Sequence, residues 1–186
     1  MGRCGSWQVG NGDTQRTEYE EGIDLGLEVR PIQSSVEREA CYHVRMVVFV
    51  EEQAVPPWEE LDADDESALH VAAIQDGVIV GTARLVDKGD GLGKIGRVAV
   101  LKENRGEGIG RLLMEALLRV AADRFKALTL DAQLQVIPFY EKLGFQAHGD
   151  VFLDCEIEHR RMSRELHIDS PHDTVGSVTP ATAVSS

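Results

Sequence analysis

Residues 97–121, "RVAVLKENRGEGIGRLLMEALLRVA", pass through three kinds of local order in succession. "RVAV" is a short apolar, β-branched run, the composition of a strand. "RGEGIG" breaks it with Arg105 and with glycines at 106, 108 and 110. Then Ile109, Leu112, Leu113, Ala116, Leu117, Val120 and Ala121 recur every three or four positions, which is a helix with one apolar face. A strand, a glycine turn and a helix in that order leave unpaired N–H groups and the positive end of the helix dipole at the turn. Glycine also lets an anion reach the backbone with no Cβ in the way. Between Lys94 and Arg111 stand five basic and two acidic residues, a local +3 in a chain of net charge −13. A phosphate or pyrophosphate suits such a turn. The alternative is a plain helix N-terminus in a tight bend.

The flanking segments supply the rest of a sheet. "LGLEVRPI" (25–32) alternates as a strand does. Ser34 or Ser35 can cap a helix, with Glu37 near the capping-box position. That helix carries Val36, Ala40, Val44 and Val47 on one stripe and ends near Gln53, before Pro56-Pro57. "LHVAAIQ" and "VIVGTARLV" are strands joined by the hairpin signal Asp76-Gly77. "KIGRVAV" follows as a strand, "ALTLDA" (127–132) as another, and "VIPFYEKLG" as a helix ended by Gly144. "HRRMSREL" is the last strand. The order β-α-β-β-β-α-β-α-β predicts a single mixed sheet flanked by helices, α/β or α+β by class. Residues 1–24 are polar and charged, and 167–186 are rich in Ser, Thr, Pro and Ala. Both are expected to be disordered extensions of a domain spanning 25–166.

Composition narrows the function classes. A length of 186 residues, 42% of them hydrophobic, suits one core. The acidic balance argues against a nucleic-acid partner. Cys4, Cys41 and Cys155 form no CxxC pair or disulfide framework, so a reducing compartment is expected. Neither a membrane-length apolar run nor a secretory apolar core is present, and a cytoplasmic protein without membrane attachment follows as the expectation. "MGRCGS" fits a lipidation pattern at Gly2 and Cys4, against the plainer reading of a leader. No Walker run GxxxxGK[ST] occurs, and the dinucleotide pattern GxGxxG fails at Arg111. No metal site is expected: the EF-hand spacing of Asp62, Asp64 and Glu66 meets Ser67 where glycine is required.

With these motifs assembled, the chain resembles the GNAT acetyltransferases. "RGEGIG" directly after "RVAV" is similar to their acetyl-CoA motif, and "FYEKLGF" (139–145) to their C-terminal signature. "RMVVFVEEQ", "PPWEELDADD", "LDAQLQVIPFYEKLGF" and "EHRRM", in that order, resemble the ElaA/YjcF-like branch over roughly residues 27–165. The resemblance implies splayed central strands with a V-shaped slot for acetyl-CoA as co-substrate. Val98, Ala99 and Val100 would offer main-chain groups to the pantetheine arm as an added strand does. One N–H there would hold the developing oxyanion, a contribution of about 3 kcal/mol in analogous sites. The pyrophosphate would lie on the amides of Gly106, Glu107, Gly108, Ile109, Gly110 and Arg111, with charge from Arg105 and Arg111. Tyr140 occupies the position of the general acid that protonates the departing thiolate. Gln133 stands where many members have Asn. Homodimers are frequent in the family.

The acceptor implied is a primary amine, on a small molecule or a peptide, attacking directly in a ternary complex. Residues 51–66, "EEQAVPPWEELDADDE", hold eight acids and no base. They read either as a solvated surface or as a mouth that attracts a cation. The amine must lose a proton, and Glu52, at the end of the first helix, is the first candidate base; Glu51, Asp62, His70 and His159 compete. Glu156 and Glu158 depart from the Gly and Pro common in the branch. Cys155 has no paired base and reads as an inert thiol. The alternative to an enzyme is a non-catalytic acyl-CoA-binding or regulatory module on the same fold.

Overall fold

The structure, a computed structural model, describes residues 26–166. Gly2, Cys4 and both terminal extensions lie outside these residues. The strands are β1 (Leu27–Pro31), β2 (Leu69–Gln75), β3 (Val78–Asp87), β4 (Leu92–Val100), β5 (Ala127–Gln133), β6 (Gln146–Asp154) and β7 (Ile157–Glu165). The helices are α1 (Ser35–Arg45), α2 (Pro57–Glu60), α3 (Ile109–Ala121) and α4 (Ile137–Glu141). The sheet order is β1-β2-β3-β4-β5-β7-β6, with every pairing antiparallel except β4–β5. The expected mixed, mostly antiparallel sheet is therefore present, with seven strands where sequence reading finds six.

The missing strand is β6. It joins β7 through Cys155 and Glu156, both at positive φ (48° and 63°). This two-residue turn has the backbone that Asn-Gly normally signals, built from residues that give no such signal. By contrast Asp76 (φ 50°) and Gly77 (φ 81°) form the β2–β3 turn as their sequence predicts.

Two cores sandwich the sheet. On one face α3 buries Ile109, Leu113, Met114, Ala116, Leu117 and Ala121 against Val71, Leu85, Ile95 and Leu128. On the other, Val44 and Val48 pack on Ala99. Ser34 caps α1, its hydroxyl accepting from the Glu37 amide at 3.2 Å, a contribution of about 1 kcal/mol. The stripe expected from Val36 and Val47 is displaced: Val36 is exposed, and Cys41, Val44 and Val48 face inward. Cys41, Val44 and Val48 stand three and four positions apart, an ordinary helical stripe that the expected one shares only at Val44; beyond Arg45 the helix runs on as a π-helical stretch, Met46–Glu52.

Candidate active site

β4 and β5 pair only over Leu92–Lys94 with Ala127–Thr129. Beyond Lys94 they part, and a cleft of about 390 Å³ opens between Lys94–Val100 on one side and Leu130–Gln133 on the other. The Leu101 N–H donates to the Val80 carbonyl at 2.9 Å. Alternation along an antiparallel ladder then turns the Ala99 main chain toward β3 and leaves Val98 and Val100 facing the cleft. The expectation that all three face it narrows accordingly. The Val100 carbonyl already accepts from Arg105 Nε at 2.9 Å, which leaves the main-chain groups of Val98 and the Val100 N–H open to the cleft.

Val98 follows an irregularity. β3 and β4 pair in register at Thr82–Ala99 and again at Arg84–Gly96, so Ala83 faces both Arg97 and Val98. This is a β-bulge, and Arg97 adopts φ 54° in it. The left-handed region costs a residue with a Cβ about 1–2 kcal/mol, and a bulge of this form ordinarily takes glycine there. The Arg97 guanidinium donates to the Glu60 and Glu59 carbonyls, both at 3.0 Å, and pairs with the Glu60 carboxylate at 3.1 Å.

The glycine turn lies at the mouth of the cleft. Gly106 (φ 89°) and Gly108 (φ 81°) occupy the left-handed region, and a Cβ on either would meet no protein atom within 4 Å. Gly108 caps α3. Arg111 and Leu112 N–H both turn back to its carbonyl, at 3.0 and 3.1 Å. Among the described residues, the amides of 106–110 donate to no backbone group, so the cradle ends one residue earlier than the sequence suggests. The buried Ile109 side chain serves the core, leaving only its amide for a ligand. Arg111 pairs with Glu115 at 2.7 Å on the exposed helix face. A second cleft of about 1160 Å³ runs past Gly106, Gly108 and Gly110 to Lys142 and Arg164. It shares Val100, Arg105, Gly110, Val136 and Phe139 with the first, so the two are continuous. Lys142 and Arg164 add cations that sequence reading did not single out.

Tyr140 lines the first cleft from α4, held edge-on by Phe139 and Phe145 with ring centres 4.9 and 6.2 Å away. Burial pushes its phenol up to about 12. Gln133 donates to Gln53 Oε1 at 2.9 Å and accepts from Gln135 at 2.6 Å, tying the end of β5 to the end of the first helical run.

The candidate bases separate clearly. Glu52 pairs with Arg105 at 2.8 Å, beside the glycine turn, and does not line the cleft. Glu51 is exposed and outside it. Asp62 is fixed by Arg84 at 2.7 Å and Arg97 at 3.4 Å. His70 is buried away from the cleft, its Nε2 3.0 Å from the Asp65 carbonyl. Of the five, only His159 lines the cleft. Its Nδ1 lies 2.8 Å from the Ile157 carbonyl, which can only accept, so Nδ1 carries a hydrogen and, in the neutral ring, Nε2 is the nitrogen with the free lone pair.

The acidic loop is not a free negative surface. Arg45, fully buried, binds Glu60 at 2.6 Å and Asp65 at 2.6 Å, and Arg84 binds Asp65 at 2.8 Å. Burial opposes ionisation of both acids. It wins at Glu60, whose carboxyl is pushed up, while hydrogen bonds from Arg45, the Asp62 amide and Arg84 hold Asp65 well below the usual range. Lys88 takes Asp64 at 2.6 Å. Glu59 alone of the remaining acids lines the cleft, where it accepts from the Cys155 thiol at 3.0 Å. That bond, with some burial, pushes the thiol up to about 11. Cys155 thus stays protonated near neutrality, as an inert thiol would.

Comparison with known proteins agrees with this geometry. Residues 32–166 match the family model described as the acetyltransferase (GNAT) domain. The uncharacterized N-acetyltransferase YjcF of Bacillus subtilis is 39% identical over 127 residues, 67% of this chain and 90% of the relative. The crystal structure of Escherichia coli ElaA superposes with a TM-score of 0.68 at 29% identity, covering 75% of this chain and 99% of that one. An acyl-CoA N-acyltransferase from Pseudomonas aeruginosa gives 0.68 at 32%, over 74% and 99%.

Proposed function

The chain belongs to the GNAT acetyltransferase family, in its ElaA/YjcF-like branch, and from that premise we propose that it is an N-acetyltransferase. It moves acetyl from acetyl-CoA to a primary amine by direct attack in a ternary complex. The observation that carries this reading is the parting of β4 from β5 beyond Lys94, with the glycine turn at the mouth of the gap. A sheet normally closes its hydrogen-bond ladder. Here main-chain groups are left open to a strand-like ligand, and the unpaired amides of 106–110 suit its pyrophosphate.

The roles follow from position. The Val98 N–H faces the cleft where an oxyanion would develop. Tyr140 keeps its proton and delivers it to the departing thiolate. Glu59 attracts the ammonium form of the amine, and His159 Nε2 takes the proton that frees its lone pair. Gln133 braces β5 against the first helical run. Glu52 holds Arg105, which in turn holds the Val100 carbonyl, so its place is in shaping the donor mouth. The name of the Pseudomonas aeruginosa relative, an acyl-CoA N-acyltransferase, supports the donor and bond class.

The test is titration calorimetry of acetyl-CoA into the protein, with NADH and ATP as controls, followed by thiol release against a panel of amines. Saturable binding and amine-dependent thiol release are expected. Binding with no release under any amine would instead make the chain a binding module, and no binding at all would remove the reading of the glycine turn.

A further inference from the structure

We propose that Arg97 is a positioning residue that locks the β4 bulge and so aims the Val98 amide into the cleft, using as its anchor the network that Arg45 and Arg84 form with Glu60, Asp62 and Asp65. The proposal rests on the acetyl-transfer reading for its kinetic test, though not for its structural one.

Three observations meet at this residue. First, the conformation is one that glycine adopts freely and arginine does not, yet Gly96 stands one position earlier and Arg97 takes φ 54°. Something other than local preference holds it. Second, the guanidinium points away from β3 and β4 and grips the α2 loop, at the Glu59 and Glu60 carbonyls and the Glu60 carboxylate. Third, that loop cannot yield. Glu60 and Asp65 are bound by the fully buried Arg45, Asp62 and Asp65 by Arg84, and the Asp62 amide by the Asp65 carboxylate at 3.1 Å. A buried ion network is weak evidence of stabilisation in itself. As a rigid abutment for Arg97 it has a geometric purpose. The same guanidinium fixes the Glu59 main chain, whose carboxylate lines the cleft. One side chain therefore sets the distance between the acceptor loop and the strand that holds the donor.

The test compares Arg97→Ala with Arg97→Gly. Both delete the guanidinium, and only glycine accepts the positive φ without strain. In Arg97→Ala kcat should fall about 100-fold, the size of losing one oxyanion donor. KM for acetyl-CoA should change by less than roughly threefold, because the pyrophosphate cradle is untouched. Arg97→Gly should regain about tenfold in kcat over the alanine variant. Crystal structures of both should show residue 97 at negative φ and the bulge lost in Arg97→Ala, and the bulge kept in Arg97→Gly. Equal kcat in the two variants, or an unchanged bulge in Arg97→Ala, overturns the proposal. If the alanine variant does not fold, Arg97→Gly decides alone: a wild-type kcat refutes the clamp, and a kcat reduced about tenfold with the bulge in place supports it. A wild-type protein that releases no thiol with any amine would remove the acetyl-transfer reading, and the φ at residue 97 in the two structures would still decide the clamp.

Discussion

Tyr140 carries the sharpest expectation about a single residue. Its phenol is buried among Phe139 and Phe145 and pushed up to about 12. An acid must hold its proton until the transition state, and this one holds it throughout the working range. Tyr140→Phe should lower kcat by about 100-fold, within the range of general acid–base effects, and leave acetyl-CoA affinity near wild type. The sign for pH follows: the acid form is lost only as pH rises through about 12, so Tyr140 should give no falling limb to kcat below the pH of unfolding. A kcat–pH profile that falls in the weakly alkaline range and becomes flat in Tyr140→Phe would assign that limb to Tyr140 and refute the raised phenol, whereas an unchanged kcat in Tyr140→Phe would refute the role itself. At this scale the sequence was informative where a residue sits inside a motif, as Tyr140 does in "FYEKLGF". It was uninformative in "EEQAVPPWEELDADDE", where eight acids look alike. Which of them face the cleft depends on where Arg45, Arg84, Arg97 and Arg105 reach, and those arginines come from α1, β3, β4 and the glycine turn. Glu52 is drawn out of the cleft by Arg105 for that reason, and Glu59, which the sequence does not single out, lines it.

Elements were legible to the extent that each carries its own period and punctuation. α3 shows a helical stripe, Gly144 ends α4 at φ 82°, and Asp76-Gly77 turns a hairpin. β6 has none of these: it is an exposed edge strand, its ladder slips between His148 and Phe152, and its turn is Cys-Glu. The glycine turn makes a prediction as an element. Valine at 108 would sit at φ 81°, its Cβ meeting no protein atom within 4 Å. The internal cost is the backbone strain of about 1–2 kcal/mol, while the external cost falls on any anion in the cradle. Gly108→Val should therefore stay folded and lose acetyl-CoA binding by calorimetry; retained affinity would place the pyrophosphate elsewhere. The start of α1 makes another. Hydrogen bonds from Arg30, at 2.8 and 3.1 Å, and from the Gln33 amide at 2.6 Å, with burial opposing, lower the Glu37 carboxyl from 4.5 to about 2. A depressed carboxyl stabilises fully above its unfolded value and loses that stabilisation as pH falls through about 2. Glu37→Gln should unfold at lower urea than wild type at neutral pH, with the gap closing in acid. A gap that does not change with pH would mean the pair contributes nothing through charge.

For the molecule as a whole the question is how an acidic protein would hold the anion proposed for it. The clefts answer locally, with unpaired amides at 106–110 and cations at Arg105, Lys142 and Arg164. Repulsion from the remaining charge acts over the screening length, about 8 Å at physiological salt and about 30 Å at 0.01 M. Residues 1–24 carry five acids against two bases, and 167–186 two acids and no Lys or Arg. If 25–166 is the complete acetyl-CoA-binding unit, removing both extensions deletes negative charge and no contact. The truncated chain should then bind acetyl-CoA as tightly as the full chain at about 0.15 M salt, where screening confines each charge to its neighbourhood. At about 0.01 M it should bind more tightly, because the long-range repulsion of the extensions is gone. Calorimetry at the two salt concentrations separates the terms. Weaker binding by the truncated chain at both would show that an extension supplies contacts to the site, and the domain limits would have to move outward to include it.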